Sequence, residues 1–371
     1  MILYLVIYLF IVYISILKRP TYHKIYPIFL YIILPAFLCF GYMVGSDWRA
    51  YELLYNENTD SEFFRVTKYE FVYAFIVYVS KSIHLDFWHF TIIVKLVGYF
   101  VFLKVYKEFA LNYWGLVYWY PFFSLFLWID HPARNFLAII FFTLSIPYIY
   151  KKNFRCFLLF VLLGSGCHNT CLALIPLYFY VNYRKNNNYL VDLAIIIITY
   201  FFVSILRPHL DLLFSFAVFS RLESYSLTDE YLTQMPISVF LLIVTSLYIV
   251  TKHIDQFRKN NHYADFILKC AYFYAFFYAF ANMLNILFRL PLYLIVPYCV
   301  VISFLAEVKL LGSSRLLKLA TICVTIFYLY HNVTRDDRYV PYSNYCEYLF
   351  QEKPSYTYRS NYNNLHSPYR K

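Results

Sequence analysis

The sequence predicts an all-α, polytopic transmembrane helix bundle, on three observations. Of 371 residues, 61% are hydrophobic and only 14% charged, against about 45–50% and about 25% in soluble domains. Such a chain has more apolar surface than one soluble core of this size can bury. The apolar residues also fall into runs near the roughly 20 residues that cross a bilayer as a helix. Finally, 23% of the chain is aromatic, with 43 Tyr, 39 Phe and 5 Trp, which excludes a disordered chain. An AT-rich genome would produce the same Phe and Tyr excess, so the rings alone carry no function.

Taken in order, the candidate runs are 2–17, 25–44, 69–86, 87–106, 111–129, 133–150, 154–183, 190–206, 236–251, 264–284, 287–306 and 315–331. They predict roughly 10–12 spans in one integral domain, 1–331, followed by a polar, Tyr-rich tail, 332–371. The start, MILYLVIYLFIVYISILKRP, reads as a first transmembrane helix, since it lacks the basic start and small-residue cleavage site of a signal peptide.

The formal charge is +11, and in a membrane protein such an excess reports topology. No Lys/Arg cluster is long enough to make an arm for nucleic acid. Basic segments at 18–24, 151–155, 184–185 and 252–269 are expected on the cytoplasmic side. Segments 45–70, with six acids and three bases, and 207–230, with four and two, are expected outside. The outer loops are thus 45–68 and 207–235. Because both flanks of 154–183 are basic, that run must dip and return, breaking at Gly164-Ser165-Gly166-Cys167-His168-Asn169-Thr170. Parity also makes 69–86 a short or re-entrant helix. Cys167 and Cys171, one helical turn apart, read as packing. No acidic or cysteine spacing fits a metal, and no cofactor is expected.

Unusual polar residues then gather at the predicted outer helix ends: Asp47, Glu70, Arg134, His168 and Arg289. Ionisable groups at membrane depth are costly and mark function by default. Each has an ordinary structural explanation as well. Asp47 could cap a helix, Glu70 could neutralise Lys68, and Arg134 and Arg289 could snorkel to headgroups. His168, in Gly-x-Gly-Cys-His, is the hardest to read as filler. Arg207 and Arg221 lie in the second outer loop, where mixed charges are usually just solvated.

The order of these residues resembles the EpsG-like group of polysaccharide polymerases, which includes O-antigen polymerases of the Wzy kind. The resemblance runs from about 40 to 345 through Gly45, Asp47 and Tyr51, then Glu70 opening a hydrophobic helix. Arg134-x-x-x-Ala138, His168-x-Thr170-x-Leu172-x-x-x-Pro176-x-Tyr178, Arg289-x-x-x-Tyr293 and Pro341-Tyr342 follow. Asp130-His131-Pro132 stands where the family has a Gln/Asn-rich lead-in, so the partner of Arg134 is left open.

The resemblance implies an enzyme at the outer face of a bacterial inner membrane. It would join oligosaccharide repeat units carried on undecaprenyl pyrophosphate, moving the growing chain onto the non-reducing end of a new lipid-linked unit. Its expected partners are that lipid-linked oligosaccharide, the lipid bilayer and a chain-length regulator protein. In this reading Arg134 and Arg289, with Arg221, bind pyrophosphate, because the guanidinium fork pairs with phosphate oxygens. His168 is base or hydrogen-bond donor, Asp47 is the competing base, and Glu70 and Tyr51 orient them at the reacting centre and substrate. The alternatives are a multi-span lipid-phosphosugar glycosyltransferase, a flippase or transporter of the same lipid-linked sugar, and a non-catalytic assembly protein.

Overall fold

The computed structural model describes residues 1–17, 25–57, 70–184, 188–209, 235–309, 313–335 and 337–366. The fold is the all-α polytopic bundle that the composition predicts. Its helices are α1 (Ile2–Ile16), α2 (Ile25–Cys39), α3 (Trp48–Glu57), α4 (Phe71–Ser82), α5 (Phe87–Phe109) and α6 (Trp114–Trp119). Next come α7 (Ala133–Tyr150), α8 (Phe154–Ser165), α9 (Ile175–Tyr183), α10 (Tyr189–Leu206) and α11 (Ile237–Lys252). Last are α12 (Ile254–Asn260), α13 (Ala264–Ala281), α14 (Ile295–Leu305), α15 (Arg315–Arg335) and α16 (Tyr356–His366). Two two-residue strands, β1 (Gly41–Tyr42) and β2 (Ser343–Asn344), pair antiparallel, Gly41 opposite Asn344.

Among the described residues, six helices are long and apolar enough to cross a membrane, and the bent pair α11–α12 would make a seventh. The other apolar runs become shorter pieces. α4 and α8 have 12 residues each, about 18 Å of helix against a hydrocarbon core of about 30 Å. Run 111–129 changes character midway: α6 passes into a π-helix at Tyr120–Asp130. Eleven residues of π-helix is long for a form that is mostly seen as single turns near functional sites.

The run 154–183 breaks where the glycines predict. α8 ends at Ser165, His168 is extended, and a 3-10 turn (Asn169–Leu174) leads into α9. Cys167 and Cys171 are free and buried, which is packing as expected. At the tip, the Tyr73 amide donates to the Gly166 carbonyl at 3.0 Å. A Cβ on Gly166 would lie 2.3 Å from Val72, so α4 approaches this hairpin only because position 166 has no side chain.

α15 continues past residue 331 to Arg335. Residues 337–366 bond back to the bundle. Arg359 donates to both carboxylate oxygens of Glu52 on α3, at 2.7 and 2.6 Å, and the Trp88 indole N–H donates to the same carboxylate at 2.9 Å. All three side chains are buried. Arg49 reaches the Ser360 carbonyl, and Asn363 reaches the Arg338 carbonyl. The cations of this segment pair with three separate stretches of chain: Arg359 with Glu52, Arg338 with Asp130 and Lys353 with Asp86.

That loop is held by Gly45, at φ +85. A Cβ there would meet the Ile129 carbonyl at 2.5 Å and the Asp130 Cα at 2.7 Å. Gly45→Ala therefore combines a left-handed strain with a backbone clash, and should cost about 2 kcal/mol or more. The check is thermal unfolding in detergent, and an unshifted midpoint would refute this account of the loop.

Candidate functional site

Polar groups collect at one end of the bundle, called the outer end after the charge count, and five of them sit at or beside breaks between helices. Asp47 follows the Gly45 turn. Asp130 ends the π-helix, and His131 after it takes φ 57. Arg134 lies in the first turn of α7, and His168 at the hairpin break. Arg289 ends a 3-10 turn (Asn285–Arg289) entered through extended Leu284. Asn282 pins this last break by donating to Ser204 on α10 at 2.7 Å and accepting from the Met235 amide at 3.2 Å.

Arg134 has found the partner that the sequence left open. Its Nη1 donates to Glu70 Oε2 at 3.1 Å, and its Nε to the Tyr51 hydroxyl at 3.4 Å. The pairing has a local cause: a cation in the first turn of a helix opposes the positive end of the helix dipole, and a carboxylate offsets it. Both side chains are mostly buried.

His168 caps the 3-10 turn. Its Nδ1 accepts from the Thr170 amide at 3.4 Å and lies 2.7 Å from Thr170 Oγ1, which in turn is 2.9 Å from the Tyr293 hydroxyl. With Nδ1 as acceptor, the neutral ring carries its proton on Nε2. His168 is thus a neutral group with an N–H to offer.

Asp47 shares a cleft of about 620 Å³ with Asp130, Arg289, His331, Arg335 and Arg338. Burial pushes its carboxyl up to about 6; Asp130 adds to the shift, while Arg289 and Arg338 oppose it. Asp130 itself is 2% exposed and fully engaged. It accepts from the Ser46 amide at 2.5 Å, the Ser46 hydroxyl at 2.8 Å and Arg338 at 3.1 Å. Arg289 acts electrostatically on both Asp47 and His168, and so joins the cleft to the Arg134 cluster.

Six of the seven residues singled out in the sequence therefore converge: Asp47, Tyr51, Glu70, Arg134, His168 and Arg289. Arg221 lies outside the described residues. Sequence reasoning missed Asp130, His331, Arg335 and Arg338. A signal for two of them was present: Tyr328, His331, Asn332 and Arg335 follow the i, i+3, i+4, i+7 spacing of one helical face, beyond the point where hydropathy ended the span. The aromatic rings beside this polar end form no open platform. Trp48, Tyr55, Trp128 and Tyr293 are buried, and three of them are hydrogen-bonded to Leu85, Lys95 or Thr170.

The chain belongs to the EpsG family, whose sequence profile matches residues 24–344. Members of this family are polysaccharide polymerase-like. No curated protein and no solved structure matches the chain at a significant level.

The Arg134–Glu70 pair sets a measurable coupling. Arg134→Met and Glu70→Gln should each destabilise, and the double variant should lose about 1 kcal/mol less than their sum. A double-mutant cycle by thermal unfolding in detergent checks this, and strict additivity would show the pair to be without energetic consequence.

Proposed function

We propose that the protein joins polysaccharide repeat units carried on undecaprenyl pyrophosphate, at the outer face of a bacterial inner membrane, by transferring the growing chain onto the non-reducing end of a new lipid-linked unit. The observation that carries this reading is the pairing of a raised carboxylate, Asp47, with three arginines in one cleft at the helix ends. Glycosyl transfer from a lipid pyrophosphate needs those two features together. The anomeric C–O bond breaks towards the pyrophosphate, which leaves with the bonding pair and must be met by positive charge. An acceptor hydroxyl attacks the same carbon and gives up a proton.

Asp47 suits the proton's destination, since a general base works best with a pKa near the working pH. Asp130 is locked by Ser46 and Arg338 and acts as a positioning residue. Arg289, Arg335 and Arg338 face the leaving pyrophosphate as permanent charges, and Arg134, held by Glu70 and Tyr51, extends this field towards His168. The neutral imidazole donates from Nε2 to an oxygen at the reacting centre. Oriented donors of this kind contribute about 2.7–4 kcal/mol each to transition-state stabilisation. A flippase would place its charges along the middle of several helices, whereas these gather at helix ends. A glycosyltransferase adding a single sugar would use the same groups, and product size separates the two.

Two outcomes follow. In a complementation assay, Arg134→Ala and His168→Ala should leave only single-repeat products at normal protein levels; a full ladder from either removes that residue from the mechanism. In purified protein the rate should fall as pH drops through about 6, where Asp47 gains its proton, rather than near the 4 of an ordinary carboxyl. An acid limb that persists unchanged in a residually active Asp47→Asn variant would exclude Asp47 as the base.

A further inference from the structure

Below the polar cleft lies a second space, of about 260 Å³, and its lining is apolar and aromatic: Phe123, Met235, Pro236, Val239, Tyr274 and Tyr278 are its own. Four residues, Phe122, Asn285, Phe288 and Tyr328, line both spaces. The neck between them is the stacked pair Phe122–Tyr328, with ring centroids 4.0 Å apart and planes 12° apart. Cleft and groove are thus one continuous hollow with a charged end and an apolar end.

The same gradient is written along two separate elements. On α15, Arg335 and His331 line the cleft alone and Tyr328 lines both spaces, a descent of about 10 Å over seven residues. On the π-helix, Asp130 and Phe126 line the cleft alone, Phe122 lines both spaces and Phe123 the groove alone. The flanking helices α11 and α15 turn bare apolar side chains outward, with Ile237 at 53% and Phe327 at 69% exposure. The groove therefore lies between helices whose outer surfaces suit hydrocarbon. What fits is an amphiphile with one slender apolar chain and a multiply charged anionic head.

We propose that this groove holds the head-proximal isoprene units of a polyprenyl pyrophosphate whose pyrophosphate lies in the cleft at Arg289. This rests on the lipid-linked reading given above, and adds where the lipid is gripped. A single groove accepts one chain, which favours a polyprenyl group over a two-chained phospholipid. The groove sets the distance from lipid to reacting carbon, since the head can enter the cleft only as far as the seated chain allows.

The test uses the full-length protein in nanodiscs and a polyprenyl pyrophosphate carrying a diazirine on its second isoprene unit. Labelling is expected on residues 122–123, 235–239 or 274–278. Unlabelled undecaprenyl pyrophosphate should suppress it about tenfold, and an equal concentration of phosphatidylglycerol should not. Val239→Trp, which fills the groove, should lower labelling about tenfold and raise the KM for the lipid carrier in polymerisation. Ile237→Trp, on the outward side of the same helix, should change neither. Labelling confined to other residues, equal suppression by phosphatidylglycerol, or undiminished labelling of Val239→Trp would each overturn the groove and leave the polymerase reading standing. Groove labelling without polymerisation of any sugar-carrying lipid would support the groove and sink the polymerase reading.

Discussion

The outer end of this protein depends on one buried carboxylate. Asp130 closes the π-helix almost wholly buried, and a buried polar group has to be met by partners from the chain. Three groups meet it: the Ser46 amide, the Ser46 hydroxyl and Arg338. The first two fix the loop that presents Asp47, and the third fixes the segment after α15. One charge thus brings together three stretches of chain far apart in sequence. Removing a partner from such a pair is costly because the remaining charge stays buried. The Glu52–Arg359 pair repeats the device further out, between α3 and α16.

A second regularity is that the site is made of interruptions. Ionisable side chains are expensive within an unbroken apolar helix, and irregular backbone is tolerated at depth only beside protein or a polar cavity. Breaks at Gly45, His131, His168 and Leu284 satisfy both conditions together. Each exposes backbone groups that neighbouring polar side chains then bond, as His168 does with the Thr170 amide and Asn282 with the Met235 amide. The fold spends its irregular backbone on one region, and that region is where chemistry can occur.

Much of this was legible in the sequence. Apolar runs located the helices, because burial in hydrocarbon demands a length and a composition that can be counted. The Gly164–Thr170 break was legible because glycines interrupt an apolar run whose two flanks are both basic. Asp47, Glu70, Arg134, His168 and Arg289 stood out because each is costly where it lies. Arg335 and Arg338 did not, since a cation beyond the end of a hydrophobic run looks like ordinary solvated chain. The fate of Trp48 and Trp128 was hidden for the converse reason: a ring near an interface has the same sequence whether it faces water, lipid or core.

By itself, then, the sequence determined the class of fold, the places where helices break and most of the polar residues that matter, all of which follow from local composition and spacing. Only the tertiary structure decided the partnerships. That Arg134 pairs with Glu70, that Asp130 organises the loop of Asp47, and that residues 337–366 lock onto α3 are contacts across long stretches of chain. Such contacts depend on which buried charge finds a geometrically available opposite, and no local pattern of residues encodes that choice.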